Sequence, residues 1–393
     1  MARDPFSRLQ WLVFALAGAV FTTVYIPQPV LPVLRQQFGV GEGVASLTVS
    51  AVVLGIALAN LPFGALADRL PIRPILLSGG LVVSLAGIAS ALAPNLPLLV
   101  AARFIQGLFI PALTTCLVTY LGRVMPPERL NVVMGSYVSA TVVGGLSGRL
   151  LGGFLLPATH WRWAFFLAAA LLLLATLAGF LGLPREETPL PQAPEPVRFR
   201  DVLFRHELLR IYGVAAGAFF VFSSVFNYMP FYLHGAPFHW STRAVTLLYL
   251  SYVVGVVTGP LAGKLSNRVG NGRAMVLGAL IFAVGLGFTL VPQGWAMALA
   301  LALVCAGVFT IHASAAGALN RKVSSGRGRA NGFYVLFYYL GGALGITLSG
   351  QAYHLAGWHG VVALAGTALL VPLGTGLMEI QATATAKQGT ANR

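Results

Sequence analysis

Twelve apolar stretches, each long enough to cross a bilayer, take up nearly the whole chain, and none of them contains an Asp or a Glu. A helix needs about 20 mostly apolar residues to span the hydrocarbon layer. The first six run Trp11 to Leu31, Val44 to Leu66, Pro74 to Ala93, Leu98 to Leu121, Val132 to Leu156 and Ala164 to Leu183. After a break come Leu209 to Leu233, Val245 to Ala262, Ala274 to Val291, Ala296 to Leu319, Gly332 to Tyr353 and Val361 to Leu377. Lipid offers no partner for backbone N–H and C=O groups, so each stretch must close its own hydrogen bonds as a helix. Of 393 residues, 57% are apolar and only 9% charged, against about a quarter charged in soluble domains. The expected fold is an all-α membrane protein with twelve transmembrane helices in two pseudo-symmetric six-helix bundles.

A net charge of +15 invites a nucleic-acid reading, and the placement of the charges argues against it. When the connections are allotted alternately to the two faces, Arg35, Arg162 and Arg243 fall on one side, and Arg103 and Arg149 lie inside spans. Every other Lys and Arg falls on the side that holds both termini, which the positive-inside rule places in the cytoplasm. An even number of spans follows from the same bias. The first stretch follows two arginines like a signal peptide, but it lacks a small-residue cleavage site and runs into Pro27, Pro29 and Pro32, so it reads as a helix. Cys116 and Cys305 both lie inside spans and suggest neither a disulfide framework nor a metal site.

The one long connection, Pro184 to Glu207, carries five prolines among several charges and reads as a cytoplasmic linker. It divides the chain into a bundle at 1–183, a linker at 184–207 and a bundle at 208–393. The halves resemble each other. Gly135, Gly144, Gly145, Gly148, Gly152 and Gly153 of the fifth span recur at one constant offset as Gly332, Gly341, Gly342, Gly345, Ser349 and Gly350 of the eleventh. Gly64 through Arg69 lines up with Gly263 through Arg268, and Gly107 with Gly307. Small residues at such spacings let helix backbones approach closely in lipid. Paired bundles of this kind can rock about a shared site. The stripe therefore has a static packing reading and a functional one, a sliding contact between halves, and the repeat favours the second.

The segment Gly64-Ala-Leu-Ala-Asp-Arg-Leu-Pro-Ile-Arg73 resembles the cytoplasmic signature loop of the major facilitator superfamily. Arg103-Phe-Ile-Gln-Gly107 is similar to that superfamily's fourth-span motif, and Gly135 through Gly153 to the fifth-span motif of its efflux antiporters. Leu146-Ser-Gly-Arg149, Phe226-Asn-Tyr228, His312 and Tyr338-Tyr-Leu-Gly341 look closest to the YnfM-like bacterial inner-membrane transporters. The resemblance implies a drug:proton antiporter in the bacterial cytoplasmic membrane, monomeric as is usual for the family. Three departures stand out. Arg149 occupies a position where Pro is common, Thr23 one where drug antiporters often carry an acid, and Pro71-Ile72 one where Gly-Arg is usual. A buried carboxylate to neutralise a lipophilic cation is therefore absent.

The resemblance implies a gating role for Gly64, Asp68, Arg69, Arg73, Arg129, Gly144, Gly148, Arg149 and Gly152. Asp68 would face the start of the eleventh helix near Asn331 and pair with Arg73 or Arg129, latching the cytoplasmic side. Arg103, with Gln106 of the same motif, would line the cavity. Arg149, among glycines, is expected either to hydrogen-bond across the face between halves or to bind an anionic group, with snorkelling to the headgroups as the plainer alternative. Asn227 and Tyr228 interrupt the seventh span just before Pro230, which frees a carbonyl and is expected to kink the helix. With Phe222, Phe226, Tyr334, Tyr338 and Gln351 they suggest an aromatic substrate cavity with polar handles, though such spacing also suits ordinary packing. His312 is the one histidine well inside a span, and the only intramembrane side chain of a type that titrates near neutrality. Proton coupling is therefore assigned to His312 or Asp68.

No Gly-x-x-x-x-Gly-Lys-Ser/Thr loop is present, since Gly259-Pro-Leu-Ala-Gly-Lys264 is one residue short, which argues against an ATP-driven pump. Paired Asp, a His-Glu metal site, or Ser with a base would mark an intramembrane hydrolase, and none occurs in the spans. The expected protein is a proton-coupled exporter of small organic molecules, not an enzyme, with no cofactor or metal. An uptake symporter or facilitator for a small anionic or polar metabolite is the alternative. A channel or a structural membrane protein is the alternative of another class. Its partners are a small-molecule substrate, the proton and membrane lipids, with no nucleic acid.

Overall fold

A computed structural model of the protein describes residues 5–155, 160–184, 199–323 and 326–391. The described residues are almost entirely helical and include no strand. The first helices are α1 (Pro5–Val24), α2 (Leu31–Phe38), α3 (Glu42–Ala67), α4 (Ile72–Leu92) and α5 (Leu96–Leu113). After these come α6 (Thr115–Val124), α7 (Pro127–Leu150), α8 (Trp161–Gly182), α9 (Phe199–Leu203) and α10 (His206–His234). The remainder are α11 (Thr242–Leu247), α12 (Tyr252–Val269), α13 (Asn271–Phe288), α14 (Gly294–Lys322) and α15 (Arg327–Ala391). Most of the expected linker, 185–198, lies outside the described residues, and its end carries the short helix α9.

Among the described residues, ten helical stretches are long and apolar enough to cross a membrane. One of them, Arg327–Ala382, contains both the eleventh and twelfth expected spans. It breaks at Ala356 (φ −141°) and at Gly357, whose φ of 57° suits a residue without a Cβ. Hereafter 327–355 and 358–391 are the first and second arms of α15. The fifth expected span is α7, which is not among the ten. The twelve-span reading thus agrees with the helices, and several spans are interrupted where the chain dictates it. The first span breaks after Val24, where Pro27 and Pro29 cannot donate to a helical ladder, and restarts as α2. The eighth divides into α11, a 3-10 turn and α12. By contrast, α10 runs unbroken through Pro230.

Local chemistry sets the ends. The Asn95 side chain accepts from the Leu98 N–H at 3.0 Å and opens α5. Gly39, in the left-handed region at φ 62°, closes α2. Leu85, Leu174 and Leu370 are each more than half exposed, on helices whose surroundings would be acyl chains rather than water.

The chain forms two compact units. Unit 1 is Met1–Pro196 with Trp240–Tyr249, and unit 2 is Val197–His239 with Leu250–Arg393. In unit 1, α1 lies against α7 and α8, while α5 lies against α3 and α4. In unit 2, α10 lies along α15, and α14 lies against α12 and α13.

Candidate functional site

The interruption of α1 in unit 1 creates a problem that a buried arginine solves. Pro27 has no N–H, so the Thr23 carbonyl four residues earlier loses its helical donor. The Gln28 N–H turns to the Tyr25 carbonyl at 3.2 Å, leaving the Val24 carbonyl without its usual donor as well. Arg103, fully buried on α5, answers both. Its Nη1 donates to Thr23 O at 2.8 Å and its Nη2 to Val24 O, while Nε donates to Thr48 O of α3 at 3.1 Å. Nη1 also donates to Gln106 Oε1, and Gln106 Nε2 donates to Val83 O of α4 at 3.2 Å. The Phe165 ring of α8 sits 5.4 Å from the guanidinium carbon. Burying an arginine in a span costs about 2.5–3.5 kcal/mol on insertion scales, which charge-assisted bonds to fixed carbonyls offset. Arg103 and Gln106 therefore lie in the helical interior of unit 1, bonded to neutral acceptors, and the expectation that Arg103 lines an open cavity is corrected for this conformation.

Arg149, at the last turn of α7 and 1% exposed, meets the other side of the same interruption. Its Nε donates to Gln28 Oε1 at 2.8 Å and its Nη1 to Gly145 O at 2.7 Å. Its guanidinium carbon is 4.0 Å from the Tyr25 ring centroid and 5.2 Å from that of Tyr249. Such contacts stabilise a desolvated cation by roughly 2 kcal/mol. Hydrogen bonding, not snorkelling, holds this side chain.

The glycine stripe packs inside its own unit. A Cβ on Gly144, Gly148 or Gly152 would fall 2.3, 2.1 and 2.3 Å from the carbonyl oxygens of Gly18, Thr22 and Ile26. These are successive turns of α1 and its continuation, so α7 rests directly on that backbone. Those three positions are thus taken up by α1, which corrects the reading of them as a sliding surface between halves.

Unit 2 holds an aromatic cluster around His312. The Tyr334 hydroxyl lies 3.0 Å from His312 Nδ1, and the Tyr338 ring meets the imidazole edge-on at 5.2 Å. Tyr338 stacks on Phe219 with centroids 3.9 Å apart. Phe222 meets Phe226 at 4.7 Å, and Tyr252 of α12 closes on both at 5.3 and 4.9 Å. His312 and Tyr338 keep partial exposure, whereas Phe222, Phe226 and Tyr334 are buried. Asn227 and Tyr228 are fully buried, and the Tyr228 hydroxyl donates to Ile346 O at 2.9 Å, tying α10 to α15. Tyr228 is thus a tie between helices in this conformation, not a handle open to solute, and Gln351 lies exposed apart from the burial of the cluster.

Of the signature-loop residues, Asp68 ends α3 and is exposed, as are Arg69 and Arg129. Arg73 donates from Nη2 to Phe180 O and lies 5.2 Å from the Phe180 ring. Its partner is therefore α8, in place of the expected Asp68. Arg123 donates to Ala67 O at 2.5 Å and caps the end of α3 beside Asp68. Gly64 has ordinary space, its nearest neighbour being Thr115 Cγ2 at 3.8 Å.

The expected grouping of Phe222, Phe226, Tyr334 and Tyr338 with Asn227, Tyr228 and Gln351 named neither His312 as their neighbour nor Phe219 and Tyr252, and Tyr25, Gln28 and Tyr249 of unit 1 were missed as well. The first span, read as one helix from Trp11 to Leu31, instead breaks after Val24; which side chains meet across the break was not encoded in spacing. A cavity of about 290 Å³ between α13 and the second arm of α15 is lined by apolar residues such as Leu280, Leu286, Val362 and Leu369, and offers a solute no polar side chain.

The family model described as Major Facilitator Superfamily matches residues 13–270 and 237–378. The inner membrane transport protein YnfM of Escherichia coli is 28% identical over 372 residues, covering 94% of this chain and 89% of its own length. The multi-drug resistance efflux pump PmrA of Streptococcus pneumoniae is 24% identical over 374 residues, covering 90% of each chain. Among solved structures, a bacterial homologue of the human lysosomal transporter Spinster superposes with a TM-score of 0.73 at 15% identity, covering 98% of this chain and 96% of that one. At that identity the likeness speaks to the fold alone.

Proposed function

Because the chain belongs to the Major Facilitator Superfamily, we propose that it is a secondary transporter that exports small organic molecules in exchange for protons. Two bundles, 1–183 and 208–393, joined by a cytoplasmic linker at 184–207, alternate access to one substrate site in the bacterial inner membrane. Both termini face the cytoplasm by the positive-inside rule. The observation that carries this reading is the repeated helix contact. Gly144 and Gly148 sit on the backbone of α1 as Gly341 and Gly345 sit on that of α10. Two bundles built on the same contact are what rocking about a central site requires. Export is supported by the relative named as an efflux pump.

His312 carries the coupling proton in this proposal, with Tyr334 and Tyr338 beside it, and Asp68 gates the cytoplasmic end. Phe222, Phe226 and Asn227 contribute to the substrate side of unit 2, and Tyr228 ties α10 to α15 beside them. A second reading, an uptake symporter or facilitator for a small anionic or polar metabolite, draws support from Arg103 and Arg149, two buried cations in a set of spans without Asp or Glu.

Purified protein in proteoliposomes with an imposed proton gradient separates these readings. Saturable flux of substrate opposite to proton flow supports export by exchange. Flux in the same direction as protons favours the second reading. Flux that rises linearly with the substrate gradient and never saturates would overturn both and indicate a channel.

A further inference from the structure

We infer that Arg103 and Arg149 hold one object from two sides, the turn at residues 25–28 that interrupts α1, and that Arg103 is a positioning residue acting through this turn on Arg149. The turn exists because Pro27 deprives the Thr23 carbonyl of its donor and because the Gln28 N–H goes to Tyr25 O at 3.2 Å. Both orphaned carbonyls, Thr23 and Val24, receive the guanidinium of Arg103. A planar fork with several fixed donors suits two adjacent carbonyls; a single ammonium would not span them and Thr48 O as well. On the other side, the turn's own side chains hold Arg149, with Gln28 Oε1 accepting from Nε at 2.8 Å and the Tyr25 ring 4.0 Å from the guanidinium carbon. The two arginines need no direct contact to be coupled. Loss of Arg103 lets the turn re-form its hydrogen bonds elsewhere, and Gln28 and Tyr25 then leave Arg149.

The consequence for function is positional. Interrupted helices are where transporters place the groups that meet solutes, and Tyr25, half-buried, is the accessible side of this interruption. Arg103 thus governs the geometry of Tyr25, Gln28 and Arg149 without touching solute. This role rests on the transporter reading only for its effect on flux.

The test is a set of purified variants, Arg103→Ala, Arg103→Lys, Pro27→Ala, Arg149→Ala and the doubles of Arg103→Ala with each of the last two. Each is measured by thermal unfolding in detergent and by flux in proteoliposomes. Arg103→Ala should lower the unfolding midpoint by about 5 °C or more, since two buried carbonyls lose their donor. Adding Pro27→Ala returns an N–H to the Thr23 carbonyl and should recover at least half of that loss. Flux should stay low in that double, because the turn itself is gone. Arg103→Ala and Arg149→Ala together should lower the midpoint by clearly less than the sum of the two singles. Arg103→Lys should fall close to Arg103→Ala in both measurements. The inference is overturned by any of three results: no recovery on adding Pro27→Ala, additive losses in the two arginine variants, or wild-type behaviour of Arg103→Lys. If Arg103→Ala yields no folded protein, folded protein from its double with Pro27→Ala counts as recovery, and none as refutation. The unfolding measurements stand without transport. Wild-type protein that moves no solute, alongside coupled unfolding, would count against the transporter reading alone.

Discussion

Units 1 and 2 bring their helices together in the same way and fill their interiors differently. In unit 1, Gly144 and Gly148 of α7 and Gly152 just after it sit within 2.3 Å of carbonyl oxygens of α1 and its continuation, measured from the Cβ that each lacks. In unit 2, Gly341 and Gly345 of α15 do the same at 2.1 and 2.4 Å from Ala216 O and Phe220 O of α10. Polar content then diverges. Counted in register with these glycines, the place of Arg149 is taken in unit 2 by Ile346, whose carbonyl accepts from the Tyr228 hydroxyl. Counted from Gly107 and Gly307, the place of Arg103 is taken by Leu303. His312 with its aromatic cluster has no partner in unit 1, where Ala112 stands in its register. The lesson is that close backbone approach is a geometric requirement shared by both units. The buried polar groups are answerable only to local needs, such as the α1 interruption in unit 1 and a proton site proposed in unit 2.

The largest effects should come from attacking the shared contact. Gly148→Val and Gly345→Val should each destabilise by about 3 kcal/mol or more, because a backbone oxygen cannot yield to the new carbon. Size-exclusion profiles of both variants should show little folded protein. Gly135→Val, at a repeat position with nothing within 4 Å of its missing Cβ, should behave as wild type. Tolerance of Gly345→Val alone would break the equivalence of the two contacts.

Next come the unlike interiors. Arg149→Ala should reduce flux about tenfold or more, with a stronger effect on an anionic or acceptor-rich solute than on a cationic one, as expected for loss of a charge-assisted donor. Equal losses for both solutes would remove the anionic preference from unit 1. His312→Ala should abolish the dependence of flux on the proton gradient while exchange of labelled for unlabelled substrate continues. Asp68→Asn should impair coupled transport and leave the unfolding midpoint unchanged. Gradient-driven flux at wild-type rates in both His312→Ala and Asp68→Asn would leave unit 2 without its proposed proton role.

The smallest effect tests the tie between α10 and α15. Tyr228→Phe removes one buried hydrogen bond, worth about 1 kcal/mol, and should lower the unfolding midpoint by roughly 2–4 °C. No change in midpoint would mean that the Ile346 carbonyl is satisfied from within its own helix.

Much of the molecule was legible from residue order, and for a plain reason. The apolar runs from Trp11 to Leu377 had to become helices, because lipid offers a backbone no other partner. The constant offset between Gly144 and Gly341 announced two related bundles. His312 could be singled out as an intramembrane group that titrates, though not its contact with Tyr334. What residue order left open is who meets whom across helices. The glycine stripe faces α1 and not a sliding surface, Arg73 binds Phe180 and not Asp68, and Arg103 closes a helix break where an open cavity was expected. Each outcome depends on which carbonyls lose their donors and which helix lies alongside. Those are properties of three-dimensional packing, since a glycine or an arginine carries the same capacity wherever it stands, and only its neighbours decide how that capacity is used.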